Sequence, residues 1–149
     1  MKSVANFYSI EENRDIYLCI CKFVRHLFKK DKNIIIIDSK HKLEELDRLL
    51  WSFEQNSFIP HKIYNDGDMI DTQIILLSIQ NLDKLKIFNK YTSIINNYDN
   101  ALLMLENDIE IYEFVDNNES NKSKSRKKFL EYKENSFTLN HNKYNEQTI

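Results

Sequence analysis

The run "NIIIID", residues 33–38, sets four consecutive isoleucines between an asparagine and an aspartate. Unbroken β-branched residues without polar alternation read as a strand buried on both faces, the environment of a parallel sheet. Upstream, Ile16, Ile20, Phe23, Val24 and Leu27 recur at spacings of three and four. They make one apolar face of a helix of about 17 residues that follows the acidic "EEN" (11–13) and ends near Lys29, Lys30 and Lys32. Before it, "VANFYS" (4–9) is a short β-prone run. Downstream, Ser39 stands at the N-cap of a second helix whose Leu43, Leu46, Leu49 and Leu50 share a face. Strand, helix, strand, helix predicts crossover units and a parallel sheet.

The pattern continues outward. "HKIY" (61–64), "TQIILLSI" (72–79), "YTSIINN" (91–97) and "DIEIYEFV" (108–115) are strand candidates, and "NDGD" (65–68) is a turn built on the sole glycine. Residues 80–90 read as a connector or one short helix, "DNALLMLEN" (99–107) as a short helix, and roughly 119–134 as a last helix. Residues 135–149 are expected to be loosely ordered apart from Phe137 and Leu139. The expected fold is a single α/β domain over 1–149, three-layered, with a mostly parallel central sheet flanked by helices. It resembles a nucleotide-binding fold without a phosphate loop.

Composition narrows the function. The chain has 149 residues, 42% hydrophobic, with net charge −2. Phosphate neutralisation needs a concentrated excess of Lys and Arg, so general nucleic-acid binding is disfavoured unless a local patch supplies it. No apolar run approaches the length of a membrane span, and the N-terminal stretch lacks the apolar segment of a secretory signal. The cytoplasm is the expected compartment, with no membrane partner. Cys19 and Cys21, two apart on a helix, point in different directions and read as buried thiols.

Catalytic motifs are missing. A dinucleotide fingerprint or P-loop needs clustered glycines so that backbone N–H groups can approach phosphate, and Gly67 stands alone. His26, His41, His61 and His141 are widely separated, so no metal site and no cofactor is expected. The acidic pairs Glu11–Glu12 and Glu44–Glu45 are consecutive in sequence and read as solvated.

One constellation stands out. Lys122, Arg126, Phe129 and Lys133 are spaced by four, three and four, which puts three cations around an aromatic ring on one helical face. Such a stripe suits an acidic peptide with a hydrophobic anchor, because Arg grips a carboxylate bidentately while the ring supplies apolar contact. Lys124, Lys127 and Lys128 would widen the positive field. The plainer alternative is a solvated basic helix whose Phe129 packs inward.

The segment "LLWSFEQNSFIPHK" (49–62) holds the only Trp and the only Pro. With the opening "ANFY" and the C-terminal block "EIYEFVDNNESNKSKSRKKFLEYKENSFTLN", it resembles the chi subunit of bacterial DNA polymerase III, a small accessory protein of the clamp-loader assembly. The resemblance runs over essentially the whole chain, and "SFIPH" is its most specific part. It implies a non-enzymatic adaptor in DNA replication that binds the psi subunit and, separately, the acidic C-terminal tail of single-stranded DNA-binding protein, meeting DNA only indirectly. A repair helicase is a further candidate partner. The family's tail-binding residues correspond to Val115, Lys122, Arg126 and Phe129, and Lys133 joins them by helical geometry. The psi-facing surface corresponds to Phe58, Ile59, Pro60 and His61. Trp51 is expected to plug the core at the helix end, and His61 to be hydrogen-bonded at a strand start. Phe129 stands where the family commonly has Tyr, so a hydroxyl contact to the tail is expected to be lost. Two rivals remain: a nucleotide- or flavin-binding α/β enzyme, and a direct binder of single-stranded nucleic acid.

Overall fold

A computed structural model describes residues 3–11, 14–55, 58–103 and 108–145. Seven strands, β1 (Val4–Ser9), β2 (Ile34–Asp38), β3 (His61–Ile63), β4 (Ile74–Ser78), β5 (Ser93–Asn96), β6 (Glu110–Val115) and β7 (Thr138–Lys143), form one sheet in the order β3-β4-β2-β5-β6-β1-β7. Every pairing is parallel. The isoleucine run lies near the middle, with β4 on one side and β5 on the other, and all five residues of β2 are buried. A parallel strand covered on both faces has no use for polar alternation, which is why this one shows none.

Alternate residues of β2 feed two cores. Ile34 and Ile36 join Ile20, Phe23, Val24, Leu27, Leu43, Leu46 and Leu50 from α1 (Ile16–Lys29) and α2 (Lys40–Ser52). Ile35 and Ile37 face the opposite layer, made by α3 (Glu119–Glu134) and a 3₁₀ segment over Ile79–Ile87. Full burial of each isoleucine side chain contributes about 1.5–3 kcal/mol, and the four aliphatic residues of β4 are buried as completely. The result is a three-layer α/β arrangement with an all-parallel sheet.

Local chemistry departs from the expectations in four places. The first helix starts later and is capped by Asp15, whose carboxylate accepts from Tyr17 N at 2.9 Å. Ser39 occupies the N-cap of α2, but its side chain makes no capping bond; instead its own N–H donates to Asp38 Oδ1 at 2.7 Å. Residues 99–103 are not helical, and 104–107, the rest of the short helix expected there, lie outside the described residues. The end of the chain is a correction: residues 138–143, expected to be loosely ordered, pair in parallel with β1 as the edge strand β7. Gly67 turns the chain between β3 and β4 with φ +85, the left-handed region that favours glycine.

Candidate binding surfaces

The α3 layer is fastened to the sheet through charge. Glu113 on β6 is buried, and its Oε1 accepts from Lys128 Nζ at 2.8 Å while its Oε2 accepts from Tyr132 Oη at 2.6 Å and Asn96 Nδ2 at 2.8 Å. Lys128 also donates to the Tyr98 carbonyl, and Tyr132 Oη accepts from Leu102 N at 3.2 Å. Burial pushes the Glu113 carboxyl above its usual range, against the pull of Lys128 and the two neutral donors. Sequence reading missed this network and placed Lys128 in an exposed basic field. Lys128 is an internal tie, and Lys124 is engaged too, 3.3 Å from Asp99.

That tie sets the outer side of α3 over the ends of β1, β6 and β7. Between them runs a groove of about 650 Å³ that gathers Val115, Lys122, Arg126 and Phe129 with Phe7, Ser9, Ser125, Leu130 and His141. Lys133 does not line it; it is exposed in the last turn of the helix. Phe129 packs inward and also lines the groove. Its ring packs edge-on against Phe7, 5.4 Å between centroids, and is half-buried while still forming groove wall. Leu130 beside it is 56% exposed. An apolar floor flanked by Lys122 and Arg126 can hold a hydrophobic side chain and grip a carboxylate at once.

The second surface is aromatic. Phe58 is 70% exposed and Trp51 49%, and their rings lie 5.6 Å apart. Trp51 therefore does not plug the core, as was expected of it; it covers His61 from outside, with ring centroids 4.3 Å apart. His61 is buried, with Nδ1 2.6 Å from the Ile59 carbonyl and Nε2 3.1 Å from Asp47 Oδ1, the hydrogen-bonded role expected at a strand start. Ile59, at 1% exposure, belongs to the α1–α2 core and offers no surface. Pro60 is half-buried between them. The patch open to a partner is thus Trp51 and Phe58, supported from below by His61.

A third depression, about 200 Å³, lies at the carboxyl ends of β5 and β6, where open parallel sheets commonly hold nucleotides. It is lined by Asn96, Asn97, Asp99, Asp116 and Lys128 among others, and no glycine contributes. The backbone approach that a phosphate needs is not built there.

Comparison with individual curated proteins yields no match. The family model of the DNA polymerase III chi subunit, HolC, matches residues 1–140, and the chain belongs to this family, whose members are accessory subunits of the replicase.

Proposed function

We propose that the protein is a non-catalytic adaptor that holds the acidic, Phe-terminated tail of single-stranded DNA-binding protein in the groove beside α3. The observation that carries this reading is the meeting of Lys122 and Arg126 with a half-buried Phe129 and an exposed Leu130 in one groove. Cations at the rim and an apolar floor are what a peptide with carboxylates and a terminal aromatic requires. The exposed Trp51–Phe58 pair forms the second docking surface, for the psi subunit that links such proteins to the clamp loader. Aromatic side chains left in solvent and in contact with one another are typical anchors for a partner protein.

The test is an anisotropy titration of a labelled acidic peptide ending in Phe, against the native protein and Arg126→Ala. Native protein should bind, and the variant should lose about 1.5 kcal/mol or more, as for a charge-assisted bond. Binding should weaken as salt rises, because the cations are exposed. Equal affinity of both proteins removes Arg126 from the site.

A further inference from the structure

The register of β7 puts a second set of groups against the same groove. Phe7 pairs with Glu113 on one side and His141 on the other, and Ser9 pairs with Val115 and Lys143. Side chains directly opposite one another in a sheet share a face, so His141 and Lys143 stand on the α3 face, in the rows that carry Phe7 and Val115. His141 lines the groove, held there by Ser9 Oγ 2.8 Å from its Nε2. Lys143 lies one row beyond, exposed and in register with Ser9, which lines the groove. Among the described residues that line the groove none is acidic.

We propose that β7 is a second wall of this site, with His141 and Lys143 contacting the acidic residues that precede the terminal aromatic of a bound peptide. This rests on the peptide-binding reading of the groove. A ligand anchored by its aromatic end between Phe129 and Leu130 and by its carboxylate at Arg126 must lead its chain out past one side of the groove. The β7 side offers a cation and an imidazole, together with the outer edge of the strand that ends the sheet among the described residues. The α3 side already spends Lys128 on Glu113 and Lys124 on Asp99. Lys143 therefore adds an exposed cation, and His141 a ring edge, to Lys122 and Arg126 for an acidic segment that leaves along β7.

The experiment uses the full chain and two labelled peptides, each ending in Phe, one with aspartates before it and one with serines in their place. Lys143→Glu and His141→Ala are titrated beside native protein and Arg126→Ala. The expected result is a loss of about fivefold for Lys143→Glu with the aspartate peptide, and less than about twofold with the serine peptide, the size of an exposed charge contact. His141→Ala should follow the same pattern with a smaller loss. If both β7 variants bind the aspartate peptide like the native protein while Arg126→Ala fails, the second wall is overturned and the adaptor reading stands. Equal losses on both peptides would also overturn it, since β7 would then be acting through the fold. Failure of native protein to bind either peptide would overturn both readings.

Discussion

Lys128 Nζ lies 2.8 Å from Glu113 Oε1, and both side chains are almost wholly buried between α3 and the sheet. Removing two charges from water costs several kcal/mol each, and close contact repays that only when the remaining donors and acceptors are met. Here they are met, by Tyr132, Asn96 and the Tyr98 carbonyl. The pair fixes where α3 sits, and so fixes which of its residues overhang the groove.

Breaking that pair from one side should therefore be costly. Glu113→Gln leaves a buried ammonium without its counter-charge and should lose about 3 kcal/mol in urea unfolding. Glu113→Gln with Lys128→Met should recover most of that loss, since two neutral side chains need no mutual compensation. A single variant within about 1 kcal/mol of native would show that the pair does not fasten the helix.

Asp38 makes a pH prediction. Burial raises its carboxyl above the ordinary range, opposed by the Ser39 N–H, the Asn97 amide and Lys42. The folded state thus holds the proton more tightly than the unfolded chain, whose carboxyl titrates near about 4. Between that value and the raised native one, stability contributed by this group falls as pH rises. Asp38→Asn lacks the effect, so the stability difference between native protein and variant should shift toward the variant from pH 4 to pH 7. A difference that is constant, or that moves the other way, would contradict the assignment.

The layer order was legible because the buried strands β2 and β4 carry unbroken aliphatic runs, and α1 and α2 carry spacings of three and four. β7 was not, because "TLNHNK" at a sheet edge, with one half-buried leucine, has neither an apolar run nor a clean alternation. Its pairing with β1 comes from tertiary context. In the groove, helical spacing found Lys122, Arg126 and Phe129, which share a face by geometry alone. The same spacing could not separate Lys128 from its neighbours in "KSKSRKK", since a buried lysine and a solvated one look alike until Glu113 is placed opposite. Trp51 misled in a different way: large aromatics usually fill cores, and here one covers a buried histidine from the solvent side.

The Trp51–Phe58 patch should separate binding from folding. Phe58 is mostly in solvent, so Phe58→Ala should leave urea stability within about 0.5 kcal/mol of native. The same change should cost a docking partner about 2 kcal/mol or more, the scale of an aromatic anchor in an interface. Trp51→Ala should lose somewhat more stability, because it uncovers His61. Pull-down of psi by native protein but not by Phe58→Ala is the expected result; equal capture would remove Phe58 from that surface.

Phe129 has two jobs that substitution can pull apart. Its edge-on contact with Phe7 is part of the α3-side core, whereas its remaining face forms groove wall. Phe129→Ala should lower stability by about 2 kcal/mol, below the cost for a fully buried ring because this one is only half covered. Phe129→Leu keeps most of the volume against Phe7 but lacks a ring for an incoming aromatic. It should stay within about 1.5 kcal/mol of native in unfolding, yet bind a Phe-terminated acidic peptide about threefold or more weakly, the scale of one aromatic pair. With the peptide ending in Leu instead, native protein and Phe129→Leu should bind alike, and that cycle isolates the ring–ring contact. If Phe129→Leu weakens both peptides equally, the ring acts only by holding α3 in place, and the groove's apolar floor is set by Leu130 and Val115.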